Sequence, residues 1–288
     1  MVVAQHNTTQ HNTTQHKLKR AFLSFGALAF FSLTPLSAED NGVFIEGGFQ
    51  YSNFQYAPRF QGKNFAGLVE GVPTYSGNLF GADIQIGYKQ FFGGGKIFGL
   101  RYYGFFSGQG GSGSYTTQLY DENGNPYTAK VNQPAANLFY GVGADFLYNF
   151  YENSDQTYGA FVGVMIGGSS WLMGEAKYDG QCAITDNNGN CQTLNEASKQ
   201  AVAGFNDVDG VKATFSPTYV QFLFNIGFRM NFTKHQGFEF GVRIPTIDDP
   251  YVKLEATKNI EGLAKKGDYG MQTLRRTVGV FANYVINF

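Results

Sequence analysis

The stretch that decides the fold is "TVGVFANYVINF", residues 277–288. Val278, Val280, Ala282, Tyr284, Ile286 and Phe288 are apolar, while Thr277, Gly279, Asn283, Val285 and Asn287 between them are mostly small or polar. Successive side chains of a strand point to opposite faces, so this is a strand with one apolar face. It runs about ten residues, enough to cross a bilayer when tilted. Taken alone it fits either the edge of a soluble sheet or the wall of a membrane barrel.

Composition separates the two. Of the 288 residues only 15% are charged, whereas 17% are aromatic, with 29 Phe, 18 Tyr and 38 Gly but 8 Pro. Soluble domains usually carry about a quarter charged residues. Mean hydropathy is nevertheless −0.23. Alternating apolar and polar residues cancel in such an average, as they do in outer-membrane barrels. The formal charge is −1, from 21 basic and 22 acidic residues. The chain has no basic patch, so no nucleic-acid partner is expected.

Seven further segments share the alternation. They are "VFIEGGFQY" (43–51), "NLFGADIQIGYKQFF" (78–92), "IFGLRYYGFFSG" (97–108), "NLFYGVGADFLYNF" (137–150), "TYGAFVGVMIGGSSW" (157–171), "TYVQFLFNIGFRMNF" (218–232) and "GFEFGVRIPTI" (237–247). Tight polar turns are expected at 93–95, 152–156 and 233–236, and long connections at about 57–77, 107–135, 172–216 and 248–271. Short turns at one end and long loops at the other describe an up-and-down membrane barrel. The expected fold is all-β: an eight-stranded antiparallel transmembrane β-barrel with long extracellular loops and short periplasmic turns. A soluble barrel would bury its Phe-rich face, whereas here the opposite face carries mixed charge. Glu46, Asp83, Lys89, Arg101, Asp145, Arg229, Glu239, Arg243 and Arg275 are the expected lumen residues. Arg276 falls on the lipid-facing parity, and its long side chain is expected to reach the outer rim.

Three parts are expected along the chain. Residues 1–16 repeat QHNTT and form a low-complexity extension. Residues 17–38 have the plan of a signal peptide: Lys17, Lys19 and Arg20, an apolar run from Ala21 to Leu33, and small residues before a cut after about Ala38. Residues 39–288 form the barrel, exported to a bacterial outer membrane. Val280, Tyr284, Ile286 and Phe288 fit the terminal signature that barrel-assembly machinery reads, with aromatic rings at the interface. Outer-membrane lipids and that machinery are the expected partners.

Cys182 and Cys191 flank a polar, turn-rich stretch in the longest loop, and in an oxidising compartment they imply a disulfide. The alternative, a metal pair, lacks a nearby His. "GGGK" (93–96) lacks the spacing of a phosphate loop; it and the Asn-Gly runs at 123–125 and 187–190 are turns. An outer-membrane enzyme would normally place a His at the outer rim. His6, His11 and His16 precede the export signal, and His235 lies in an expected periplasmic turn. No catalytic, metal or cofactor site is therefore expected. An Asp-only site at Asp248 and Asp249 has no support in the pattern.

"GLRYYGFF" (99–106), "YGVGADFLYNF" (140–150), "FLFNIGFRMNF" (222–232), "GFEFGVRIPTI" (237–247) and the start "EDNGVFIEGGFQ" (39–50) resemble the Helicobacter outer-membrane protein family, in its Hop branch. The likeness covers essentially all of 39–288 and implies a barrel exposed to host tissue. Large adhesins of that family carry a bulky domain after the first strand. Here only Ala57 to Gly77 occupy that place, which favours the small, porin-type members. The expected function is porin-like passage of small hydrophilic solutes with little charge preference. The alternative is a surface adhesin or host-interaction protein acting through the disulfide-clipped loop 172–216. An eight-stranded barrel has an interior just wide enough for side chains to fill, so an open and a filled lumen both remain at this point.

Overall fold

The wall begins with β1 (Gly42–Gln61), which pairs antiparallel with β2 (Tyr75–Phe92) on one side. On the other side it pairs with β12 (Tyr269–Asn287), from Phe44↔Asn287 to Gln61↔Tyr269. That second pairing closes the ring. Between them run β3 (Phe98–Tyr120), β4 (Pro126–Glu152), β5 (Thr157–Met173), β9 (Thr218–Asn231) and β10 (Gln236–Pro245), each hydrogen-bonded to the next. The computed structural model describes residues 41–62, 73–121, 123–153, 156–262 and 264–288. The expected extension 1–16 and signal segment 17–38 lie outside those residues.

Alternation explains the wall. Phe80, Ile84, Ile86, Phe106, Val142, Ile166, Phe224, Phe228 and Val280 point outward and are exposed, Val142 by 59% and Ile86 by 57%. A soluble protein would not leave so wide an apolar belt bare; in a bilayer it faces lipid. Outward polar contacts mark the outer rim: Tyr51 Oη donates to Asn78 Oδ1 (2.9 Å), and Ser170 Oγ lies 2.8 Å from Thr218 Oγ1. The opposite end holds the short turns, with Thr233 N bonded to Gln236 O and Asn153 N to Gln156 O.

Beyond the rim the strands continue, contrary to the expected long loops. Residues 107–135 are mostly a β3–β4 ribbon that turns at 121–125, where Asp121 Oδ1 accepts from Asn123 N and Asn125 N and Gly124 adopts φ 80°. The β9 line breaks at Ser216-Pro217 and resumes as β8 (Val211–Phe215). The β10 line breaks after Pro245 and resumes as β11 (Asp249–Ala256). Proline removes a ladder donor, so a sheet strand is interrupted where it falls. The upper part of β12 pairs with β11, and β11 with β8.

The β5–β9 pairing ends at Ser170↔Thr218. Past that point β8 follows β11, while β5 leads into the small hairpin β6 (Lys177–Tyr178) and β7 (Gln181–Cys182), which joins β4 at Asn132↔Lys177. Helix α1 (Leu194–Asn206) lies by this seam and packs on β8, β11 and β5. No helix was expected in 172–216. Its N-terminus is fixed by a capping box: Thr193 Oγ1 accepts from Glu196 N, and Glu196 Oε2 accepts from Thr193 N. Two asparagines latch it to the sheet. Asn195 Oδ1 accepts from Met173 N and Tyr251 Oη, and its Nδ2 donates to Trp171 O. Asn206 takes both the N–H and the C=O of Ala213, as a neighbouring strand would. Cys182 and Cys191 are bonded, with Cα atoms 5.4 Å apart, just before the cap.

Candidate functional site

Eight of the nine expected lumen residues are buried inside the barrel: Glu46, Asp83, Lys89, Arg101, Asp145, Arg229, Glu239 and Arg243, none more than 7% exposed. Arg101 on β3 holds the centre. Its Nε donates to Asp145 Oδ2 on β4 at 2.7 Å, and its Nη1 lies 2.7 Å from both Glu239 oxygens on β10. Glu46 Oε2 on β1 is 3.4 Å from the same nitrogen. The guanidinium rests on the ring of Phe161, 4.5 Å from its centroid. One cation thus ties together strands from all sides of the ring. Gly163 lies beside Asp145, and a Cβ at 163 would collide with Asp145 Oδ1.

Around this centre, Arg243 pairs with Asp83 across the lumen and lies 4.1 Å over Phe281. Arg229 reaches Asn149 (2.8 Å) and Glu239 (3.8 Å), and Lys89 donates to Asn287. Asn283 donates to Glu46, and Tyr103 to Asp145.

Arg275 is the exception, and Arg276 takes its place. In the β1–β12 register Ser52 faces Gly279 but Phe54 faces Arg276, so Asn53 opposes both Thr277 and Val278. This bulge reverses which residues of β12 face inward. Arg276 is 3% exposed, donates to Gln109 Oε1 (3.1 Å) and lies over Phe139. Arg275 faces out above the rim, where Asp248 joins it to Arg59. The outer-rim position expected for Arg276 therefore belongs to Arg275. Among the described residues the buried ionisable groups are five basic, Lys89, Arg101, Arg229, Arg243 and Arg276, and five acidic, Glu46, Asp83, Asp145, Glu239 and, above the lipid belt, Asp249.

Apolar side chains fill the space between and above. Phe44, Tyr103, Phe105, Phe139, Met165 and Leu223 form one cluster. A larger one stands at the outer end, built on Phe54, Tyr56, Tyr75, Trp171, Tyr251 and Leu274. Trp171 is 1% exposed, packs on Phe54 at 5.7 Å and donates Nε1 to Asp249 Oδ2 at 2.7 Å. Burial pushes Asp249, on β11 above the lipid belt, from 3.8 up to about 7 against the pull of that hydrogen bond. Burial raises the Tyr56, Tyr75 and Tyr251 hydroxyls in the same way. The alternation pattern did not single out Trp171, because it marks which face a residue takes and not what fills the end of a barrel.

The remaining expected sites fall as follows. Val280, Tyr284, Ile286 and Phe288 are all exposed on the outward face, from Val280 opposite Tyr51 near the outer rim to the short-turn end, where Tyr284 meets the Phe238 ring edge-on at 5.4 Å. His235 sits in the β9–β10 turn, its Nδ1 3.2 Å from Asn287 O. Asp248 and Asp249 are held by Arg and Trp partners. Among the described residues no group of three His, Cys, Asp or Glu is placed to hold a metal ion.

A closed antiparallel ring with a lipid-facing apolar belt and a polar interior defines an outer-membrane β-barrel. The chain belongs to the Helicobacter outer membrane protein family, whose model matches residues 83–288. No curated relative matches it. Among solved structures it is similar to OprG of Pseudomonas aeruginosa, at 11% identity over 86% of this chain and 96% of that one, with a TM-score of 0.38. It is also similar to the outer membrane protease OmpT of Escherichia coli (8%, 89% and 99%, 0.37) and to Neisserial surface protein A (10%, 86% and 97%, 0.31). Likeness this distant says nothing of activity.

Proposed function

We infer that this barrel is a filled membrane anchor and that the protein acts at the cell surface through its outer extension, as a host- or surface-interaction protein. The observation that carries this is the Arg101 cluster, in which one buried guanidinium engages carboxylates from three separate strands. The outer aromatic cluster stands above it. The described part of 172–216 supplies a rigid surface: disulfide, capping box and two asparagine latches hold it to the barrel. Residues 17–38 act in this reading as a cleaved export signal. No catalytic role is assigned.

Passage of small hydrophilic solutes is the second reading. It is favoured by buried polar atoms without a protein partner, among them both amide atoms of Gln85, Ser107 Oγ and Asn225 Oδ1. Such atoms take ordered water as partner. Single-channel recording on the refolded barrel decides between the two. A silent, folded barrel supports the anchor. Steady steps that change with Arg101→Ala and Arg243→Ala overturn it in favour of a pore. Deletion of 180–193 is expected to abolish binding of barrel-bearing vesicles to host cells.

A further inference from the structure

The bulge in β12 brings Arg276 into the barrel at a level where no carboxylate meets it. Arg101 reaches three carboxylates, Arg229 reaches Glu239 and Arg243 reaches Asp83. Arg276 has no such partner among the described residues. Its Nη1 donates to Gln109 Oε1 at 3.1 Å, a neutral oxygen that also accepts from Ser52 Oγ at 2.9 Å. Its Nη2 has no protein partner. A charge taken out of water needs an opposite charge close by, and a shared amide oxygen does not supply one.

Arg243 brings a second cation to the same level. Ser107 on β3 pairs with Asp83 on β2 and with Phe139 on β4. Arg243 is bonded to Asp83, and the Arg276 guanidinium lies 5.0 Å from the centroid of the Phe139 ring. Ser107 therefore stands between the two guanidiniums, and the charge of Arg243 acts on Arg276. Ser107 Oγ and the Nε and Nη2 of Arg243 also have no protein partner. None of the three residues is more than 3% exposed. Asp83 spends one oxygen on Arg243, and its other, Oδ1, takes water. Asp249 acts on Arg276 but is bonded to Trp171, and burial holds its pKa at about 7, so it is half-protonated at neutral pH. Asp248 is held by Arg59 and Arg275. The spare donors thus meet at a level that carries more positive than negative charge.

We propose that this level of the lumen binds a small monoanion, chloride, between Arg243 and Arg276, with Ser107 Oγ as a further donor. Water alone would accept from the N–H groups but would leave the charge uncompensated. The walls set the size of the ion. Phe139 and Phe281 flank the two guanidiniums, and the aromatic cluster built on Phe54 and Trp171 stands above them. An ion little larger than a water molecule fits that setting, and a phosphate or a carboxylate-bearing solute does not. The site is the same in a filled anchor and in a pore.

The test is the chloride dependence of unfolding of the full barrel in vesicles of a zwitterionic phospholipid. Urea titrations are run in mixtures of sodium chloride and sodium gluconate at constant total salt, so that ionic strength is fixed and only the size of the anion changes. A ligand bound by the native state alone multiplies the folded-to-unfolded ratio by one plus its concentration over Kd. Wild type is expected to gain stability as chloride replaces gluconate, the ratio rising up to about tenfold for each tenfold of chloride once the site fills. Arg276→Gln keeps a donor for Gln109. It is expected to lose the dependence and to exceed wild type in pure gluconate, because no unmatched charge remains there. Arg59→Gln, on the exposed rim, is expected to keep the dependence. Should Arg276→Gln fail to refold, Ser107→Ala takes its place and is expected to flatten the dependence. Equal wild-type stability in the two salts overturns the proposal and leaves these atoms to water. A chloride dependence that survives unchanged in Arg276→Gln, or in Ser107→Ala where that variant stands in, overturns it as well. Stability is read and not current, so the outcome is separate from the choice between anchor and pore.

Discussion

Replacing Arg101 with Met tests the account of the barrel interior most directly. Arg101 is 1% exposed and is the cation within 2.7 Å of both Asp145 and Glu239, with Glu46 at 3.4 Å. Methionine keeps much of the volume and the contact with Phe161, but leaves three buried carboxylates without their shared partner. Removing one member of a buried ion pair costs about 3–5 kcal/mol, so the expected loss is at least a hundredfold in the folded-to-unfolded ratio. Urea titration of the barrel in lipid vesicles, followed by tryptophan fluorescence, measures it. Trp171 is the single tryptophan of the chain and sits in the outer cluster. The control is a triple variant, Arg101→Met with Asp145→Asn and Glu239→Gln, which is expected to recover part of the loss because two of the three stranded carboxylates are neutralised and only Glu46 is left. A single variant that loses under ~1 kcal/mol, the range of an exposed pair, would refute the argument that this cluster is a dry structural lock.

Four further outcomes follow from the outer half. Asp249 has a folded pKa raised from 3.8 to about 7, so the native state binds more protons than the unfolded one across that window and stability falls as pH rises through it. Asp249→Asn, which keeps an acceptor for Trp171, is expected to match wild type at pH 4 and exceed it at pH 8 by at most ~4 kcal/mol; equal curves at both pH values would sink this. Cys182→Ser with Cys191→Ser opens a small ring worth somewhat under ~3 kcal/mol on the chain-entropy model, and should speed proteolysis at Asp186–Asn190 while the folded barrel still shifts on a gel. Thr193→Ala removes the capping box and is expected to cost ~1 kcal/mol locally, read as faster amide exchange in Leu194–Ala197 with β2–β3 unchanged. Deleting Val278 removes the extra residue of the bulge and leaves Thr277 alone opposite Asn53 and Arg276 still opposite Phe54, so Arg276→Cys in that background is expected to stay inert to a membrane-impermeant thiol reagent while Arg275→Cys reacts; reaction at position 276 would refute the register.

The membrane ring was legible because its physics is local. Lipid on one side and charge on the other impose a two-residue period, and Phe224, Asn225 and Ile226 display it without knowledge of their neighbours. The buried charges on the straight parts of strands were legible for the same reason. Arg275 and Arg276 were not, because the bulge at Asn53 is a property of two strands in register and neither strand alone signals it. Helix α1 carried a local signal in Thr193-x-x-Glu196, but it begins inside a loop whose apolar residues are too few for helical periodicity to stand out. The plug was hidden in another way: Trp171, Phe54 and Tyr251 come from β5, β1 and β11, and only closure of the ring brings them together.

The bulge in β12 gives one strand two reading frames. From Gly279 onward, odd-numbered residues see the lumen; from Arg276 back, even-numbered residues do. Length changes in the outer extension can be absorbed at Thr277-Val278 without moving a single lipid-facing side chain below it. The surface half of the molecule is thereby free to lengthen, shorten or shift phase against an unchanged membrane half. When relatives are aligned, lumen positions in this strand must be counted separately on each side of that point.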